Sequence, residues 1–282
     1  MKKVDLHVHS TYSDGTLTPS ELVAHAKALD INAFALTDHD TVEGVAEAVR
    51  AGNELGVEVV SGVELSTHYD SKEIHIVGLY IDYTDEILKK ELDSLRNSRE
   101  NRNRQICQRF AGLGINVPYE KMLELYPDAV ITRAHFADYL VKKSIVKSRN
   151  EAFERYLGDS CPCYVHREKM LPARAIELIK NAGGIAILAH PVLYHLGNEQ
   201  MNKLMQYLCD SGISGLEAIY STYSTGEELK MRKIAKEHNL LISGGSDFHG
   251  ANKPDIEMGI GRGRLFIPYK ILENIKKACP RI

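Results

Sequence analysis

No run in the 282-residue chain approaches the roughly 18 to 20 consecutive apolar residues of a membrane span, so no transmembrane helix and no membrane partner are expected. The opening MKKVDLHVHS lacks the apolar core of a signal peptide, and a cytoplasmic location follows as the expectation. Cationic charge is not in excess. The 35 Lys and Arg against 38 Asp and Glu leave a net charge of −3. Non-specific affinity for nucleic acid comes from clustered Lys and Arg, so binding to long duplexes is not expected, and a phosphate-bearing ligand should be small or held locally. The five cysteines are odd in number and contain no CxxC pair, so they read as reduced thiols, including the CPC at 161–163. Repeats and low-complexity segments are also missing. What remains is an apolar fraction of 44% with 26% charged residues, ordinary for a globular protein, and enough length for one large α/β domain or a domain with an insertion.

Short apolar runs alternate with amphipathic stretches. Strand-like pieces include INAFALTDHD, GVEVVSGVELS, EIHIVGLYI, GGIAILAHP, SGLEAIY and LLISGGSDFHG; helix-like pieces between them include TPSELVAHAKALD, TVEGVAEAVRAGNELG, PARAIELIKNAG and TGEELKMRKIAKEHN. The alternation predicts βα units around a parallel sheet, closed or nearly closed into a barrel. Residues 84–165 break the rhythm with one long helix ending at glycine and three shorter helical patterns, and read as an all-helical insertion or cap between barrel segments 1–83 and 166–282.

The stretch DLHVHSTYSDG places His7 and His9 on one face of the first strand, opposite Val4, Leu6 and Val8. Two neutral imidazoles side by side are good metal ligands and poor core filler. The same residue types recur at strand ends or just after them: Asp14 in YSDG, Asp38 and His39 in TDHD, Glu64 in GVEL, His75 in IHIV, His190 in LAHP, Asp247 and His249 in SDFH. In parallel α/β barrels that rim assembles active sites. Burying so many unpaired polar and charged groups without a cation would be prohibitive, so the pattern predicts a metal site. Asp38, next to His39, can orient an imidazole or simply cap its loop. His25, His68, His166, His195 and His238 lack the strand-end position and read as surface or packing residues.

The set DLHVHSTYSDG, TDHDT, GVELS, IHIVGLY, LAHP and GGSDFHG closely resembles the PHP (polymerase and histidinol phosphatase) domain phosphoesterases, over nearly the whole chain apart from the helical insert. The resemblance implies a distorted (β/α)7 barrel with two or three divalent metals at its C-terminal rim. Carried onto this sequence, it implies His7, His9, Glu64 and Asp247 at one metal, Asp14, His39 and His249 at a second, and Glu64 again with His75 and His190 at a third. Asp14 stands where several branches of the family have histidine, which makes the second site more oxygen-rich. Imidazole and carboxylate ligation without thiolate suits Mn²⁺, Fe²⁺ or Zn²⁺, with Mn²⁺ favoured. Asp247 is the candidate proton acceptor, and His249 or His190 the candidate for assisting the leaving group.

For recognition of the rest of the substrate, Thr132 reads as a helix N-cap with Arg133 in the first turn and His135 beyond it, an arrangement suited to holding a phosphate away from the metals. Arg99 and Arg102, three apart on the long helix, read first as an ordinary charged face, with Arg102 also a substrate-binding candidate. The resemblance is strongest to members that act on 3′,5′-nucleotide bisphosphates or the 5′ ends of short RNA. Cyclic nucleotide phosphates are an alternative substrate class. An amidohydrolase-type C–N hydrolase is disfavoured because the bridging position reads Glu64 rather than a carboxylated lysine, and a non-catalytic module because the ligand set is complete.

Overall fold

In the computed structural model, residues 2–70, 72–166 and 170–280 are described. The chain divides into two compact units, Met1–Lys90 with Lys169–Ile282, and Glu91–Glu168.

The first unit is built on one seven-stranded sheet whose spatial order follows the chain: β1 (Val4–Val8), β2 (Ala33–Leu36), β3 (Glu58–Tyr69), β4 (Lys72–Leu79), β5 (Ile185–Leu188), β6 (Gly215–Tyr220) and β7 (Leu241–Gly245). Strands this apolar bury both faces, and β1, β2, β5 and β6 are buried along their whole length. Backbone hydrogen bonds from Asp247 N–H to the His7 carbonyl (2.9 Å) and from His9 N–H to the Phe248 carbonyl (3.0 Å) join the segment after β7 to β1, nearly closing the barrel. Gly245 permits that approach. A Cβ there would lie 2.2 Å from the His7 Cβ, so any side chain would push β7 away from β1.

Two features differ from a purely parallel barrel. β4 runs antiparallel to both β3 and β5, in register Ser66 to His75 and Ile76 to Leu188. β3 also continues past Glu64 to Tyr69, so Glu64 sits mid-strand rather than at a strand end, and His75 reaches the same end of the barrel from the first half of β4. The sequence pattern conceals this because a hairpin of two apolar strands has the same alternation as two strands joined by a crossover.

Around the sheet lie α1 (Pro19–Ala28), α2 (Val45–Leu55), α7 (Pro172–Asn181), α8 (Asn198–Asp210), α9 (Thr225–Glu237) and α10 (Tyr269–Ala278). Thr18 and Ser224 open α1 and α9 with capping boxes to Glu21 and Glu227. Val4, Leu6, Ala33, Ala35 and Val60 pack with Val77, Ile187, Leu272 and Ile275 in one core.

The second unit is helical: most of α3 (Glu86–Gly112), then α4 (Tyr119–Leu125), α5 (Arg133–Lys142) and α6 (Arg149–Ala152), the last running into a π-helical turn at Phe153–Leu157. It has its own core of Ile106, Phe110, Met122, Phe136, Leu140 and Leu157. Among the described residues, no helix is long and apolar enough to cross a membrane.

Candidate metal centre

The barrel brings all nine predicted ligands together in the first unit. Groups of ligand atoms within 4.8 Å of one another are His9, Asp14, His39 and His249; His7, Glu64 and His190; His7, His9 and Asp247; and His39, Glu64 and His75. Glu64 lies at the middle. Its Oε2 is 3.3 Å from both His7 Nε2 and His9 Nε2 and 3.0 Å from His39 Nδ1, while its Oε1 is 2.8 Å from His75 Nδ1 and 3.0 Å from His190 Nε2. Asp247 Oδ1 lies 3.3 Å from His9 Nε2 and 3.7 Å from His7 Nε2. His249 Nε2 is 3.2 Å from Asp14 Oδ1, with His39 Nε2 at 3.9 Å and His9 Nδ1 at 4.0 Å.

Local structure explains how these side chains are aimed. Buried Asp5 accepts from Ser246 N–H (2.8 Å), Ser246 O–H (2.5 Å) and Gly259 N–H (2.7 Å), anchoring the loop that carries Asp247 and His249. His190 and Asp247 have positive φ angles of 28° and 56°, a cost that persists only where the surroundings over-determine it. Among the described residues the Asp38 carboxylate takes Ser10 N–H (2.8 Å), Ser10 O–H (2.6 Å) and Ser13 O–H (2.5 Å).

The tautomers that follow from these bonds test whether the cluster suits a cation. His7 Nδ1 faces the Glu217 carboxylate at 2.9 Å and therefore donates, which leaves a lone pair on Nε2. Ser13 has already spent its hydrogen on Asp38, so its oxygen accepts from His9 Nδ1 (3.3 Å), again leaving the lone pair on Nε2. The two Nε2 atoms face each other at 3.1 Å with a carboxylate oxygen beside them. Lone pairs converging this way repel unless a cation or a proton lies among them. Glu64 Oε2 and His39 Nδ1 are buried and make no hydrogen bond among the described residues, although they lie 3.0 Å apart, a close approach that a shared cation would satisfy. The donor set therefore fits divalent metal.

Acid–base behaviour carries the same demand for positive charge. Burial pushes the His9 imidazole down, but Asp247 and Glu64 overcome it and raise its pKa to about 9; Glu64 and Glu73 likewise raise His75 to about 10 against burial. Burial pushes Glu64 up, yet His39, His7 and His75 hold its pKa well below the ordinary carboxylate range. His249 moves the other way, lowered to about 4 by burial and then by Lys253 and His9.

Three contacts of this centre are not legible as ligands in the sequence. Glu217 holds His7; Tyr220 O–H donates to Asp247 Oδ2 (2.6 Å); and Lys253 Nζ lies 2.5 Å from the same oxygen. Glu217 gave a signal, a charged residue in the middle of the apolar SGLEAIY, whereas Lys253 lies in irregular chain where no periodicity applies. We expect Tyr220→Phe, which removes a hydrogen bond to a buried carboxylate, to cost the metal-free protein about 1.5–3 kcal/mol of stability. Urea unfolding measures it, and an unchanged midpoint and slope would contradict the contact.

The four substrate-binding candidates lie in the helical unit. Thr132 is the N-cap of α5, its Oγ1 accepting from Ala134 N–H (3.2 Å), and His135 Nδ1 accepts from Thr132 N–H (2.9 Å). His135 is buried, its ring 4.4 Å from that of Tyr126. Arg133 stands in the first turn and donates to the Leu157 carbonyl (3.1 Å), with Asp159 Oδ1 at 3.4 Å and the Tyr164 ring 5.4 Å away. Arg99 and Arg102 are 7% and 8% exposed, so neither forms the solvated charged face that their spacing suggested. Long polar side chains on a 27-residue helix carry no sequence mark of which turns are covered.

A family model described as the PHP domain matches residues 5–103. A 5′-3′ exoribonuclease of Haemophilus influenzae is 41% identical over 248 residues, covering 88% of this chain and 90% of that protein. A 3′,5′-nucleoside bisphosphate phosphatase of Chromobacterium violaceum is 35% identical over 260 residues, covering 92% and 91%. Among solved structures, a Chromobacterium violaceum protein described as an amidohydrolase, with sulfate bound and no metal, superposes with a TM-score of 0.87 at 33% identity, covering 98% of this chain and 96% of that one. The barrel, the motifs and these likenesses agree: the chain belongs to the PHP-domain family.

Proposed function

We propose that the chain is a metal-dependent phosphoesterase that releases phosphate from a small phosphorylated nucleotide, either a 3′,5′-nucleotide bisphosphate such as 3′-phosphoadenosine 5′-phosphate, giving AMP, or the 5′ end of a short RNA. The observation that carries this reading is the convergence of His7 Nε2, His9 Nε2 and Glu64 Oε2, an arrangement that calls for positive charge among the three atoms. The likeness to a bisphosphate phosphatase and an exoribonuclease supports the substrate class. An amidohydrolase reading is weaker, because the central carboxylate belongs to Glu64 and the lysine in contact with the cluster, Lys253, is paired to Asp247.

His7, His9, Asp14, His39, Glu64, His75, His190, Asp247 and His249 would hold two or three divalent ions, with Mn²⁺ favoured and Fe²⁺ or Zn²⁺ chemically suited. When bound, such ions supply hydroxide at neutral pH and neutralise phosphoryl oxygens. Asp247 accepts the proton of the attacking water at Oδ1, since Tyr220 and Lys253 occupy Oδ2. His190 and His249 are the candidates for assisting the leaving oxygen, His190 with Nε2 3.0 Å from Glu64 Oε1 and His249 with Nε2 3.2 Å from Asp14 Oδ1. The helical unit, residues 84–165 in our reading, supplies recognition of the part of the substrate that is not cleaved, through Thr132, Arg133, His135 and Arg102.

The test is a turnover screen with Mn²⁺ over 3′,5′-bisphosphates, cyclic phosphates, amide substrates and short RNA with defined ends. Phosphate release from bisphosphates or RNA is expected; turnover of amides alone would overturn the reading.

The imidazole shifts set a pH dependence. In the metal-free protein His9 and His75 have folded pKa values of about 9 and 10, above the ordinary 6.5. A raised folded value stabilises fully below pH 6.5, and the contribution is lost as pH rises through the folded value. The chelated protein should therefore melt at progressively lower temperature from pH 6.5 to 8.5, and Mn²⁺ affinity should rise over the same range as protons cease to compete. Melting that is flat or rises across that window would contradict the assignment.

A further inference from the structure

Six of the seven barrel strands, or the residues just after them, contribute members to the cluster of nine; β6 contributes none. Its inward residue Glu217 is 1% exposed and sits in an otherwise apolar strand, where a carboxylate is costly to bury and an aliphatic side chain would not be. Its two oxygens are divided between two neighbours. Oε1 accepts from His7 Nδ1–H (2.9 Å), and Oε2 accepts from the backbone N–H of His190 (2.7 Å). His7 comes from β1 and His190 from the turn after β5, so one carboxylate links cluster members from opposite sides of β6. The His7 and His190 rings lie 5.7 Å apart, 23° from parallel. His190 is held at a φ of 28°, a conformation that needs support, and the Glu217 hydrogen bond supplies it at the strained residue itself.

We propose that Glu217 is a positioning residue for the metal centre: it fixes His7 in the Nδ1–H tautomer, so that Nε2 presents its lone pair, and it holds His190 in register with His7 through the strained turn after β5. The proposal rests on the metal-dependent reading above. Because both partners of Glu217 are donors, glutamine cannot replace it. An amide offers one acceptor and one NH₂, so either His7 Nδ1–H or His190 N–H must then face a donor.

The test uses the full chain, stripped of metal. Mn²⁺ alone is titrated into the parent and Glu217→Gln, with free Mn²⁺ counted by electron paramagnetic resonance, and ¹⁵N spectra of the histidines are recorded on the Zn²⁺-loaded parent and variant. The variant should bind Mn²⁺ about 10- to 100-fold more weakly. His7 in the parent should show a protonated Nδ1 and a metal-bound Nε2, and the variant should lose that signature. A merely structural glutamate would lower melting temperature without moving either readout, and that result overturns the proposal. If the variant does not fold, the parent decides: a His7 protonated at Nε2 overturns the proposal, and one protonated at Nδ1 upholds it. A parent that binds no Mn²⁺ removes the metal reading itself, an outcome distinct from a tightly binding variant that removes only the role of Glu217.

Discussion

Glu64→Gln is expected to lose bound metal and to lower kcat/KM for a nucleotide bisphosphate by on the order of 10³-fold. Glu64 is 1% exposed and has five imidazole nitrogens within 3.3 Å, from His7, His9, His39, His75 and His190. No other carboxylate of the cluster has so many among the described contacts, which is why we read it as the bridge. Removing one partner from a buried set of charges costs about 3–5 kcal/mol, because the remaining charges stay buried and uncompensated. That range corresponds to two to four decades in an equilibrium constant at about 1.36 kcal/mol each. Glutamine keeps the shape but replaces one acceptor oxygen with a donor, directed either at the His75 and His190 pair or at the three imidazoles around Oε2. Metal analysis and steady-state kinetics on the folded variant check the result. Normal metal content with normal turnover would show that Glu64 does not bridge.

Arg133→Ala is expected to raise KM for a 3′,5′-bisphosphate more than it lowers kcat. A residue that holds a phosphate not being cleaved contributes to ground and transition states alike. A charge-assisted hydrogen bond is worth about 1.5–3 kcal/mol, so the loss in kcat/KM should be about 10- to 150-fold. The guanidinium also donates to the Leu157 carbonyl within the helical unit, so truncation also loosens that contact. Turnover of p-nitrophenyl phosphate separates the two effects. That ester has no second phosphate, and its rate should change little while the bisphosphate rate falls. Equal losses on both substrates would move Arg133 to the reacting phosphoryl group. No change on either would leave it a structural residue of the helical unit.

The division between what sequence and structure each reveal follows from how side chains are aimed. His7 and His9 were legible because a period of two on a strand fixes which residues share a face, and Asp14, His39, His190, Asp247 and His249 because chemistry-bearing residues after a strand converge at one end of a barrel. The grouping is less regular than the carried-over sets: His9 also comes within 4.0 Å of Asp14, and His39 within 3.0 Å of Glu64, so the sets share members. The antiparallel β4 was concealed because alternation carries no direction. Asp38 illustrates another limit. The sequence offered it an unspecified imidazole or a loop cap, and the fold gives its carboxylate Ser10 and Ser13, with Ser13 in turn facing His9. Residues that act through others, Glu217, Tyr220 and Lys253, leave only weak traces, because their partners are more than two hundred positions away, as for Glu217 and His7, or lie in loops with no period to read.

The most direct test of the account is to count the ions. The purified full chain, analysed for metal and assayed on 3′-phosphoadenosine 5′-phosphate, is treated with chelator, reassayed, and then returned to Mn²⁺. Two or three divalent ions per chain are expected, with loss of turnover on chelation and recovery of both on adding Mn²⁺. Phosphate release that persists at full rate in protein shown to hold no metal would contradict it.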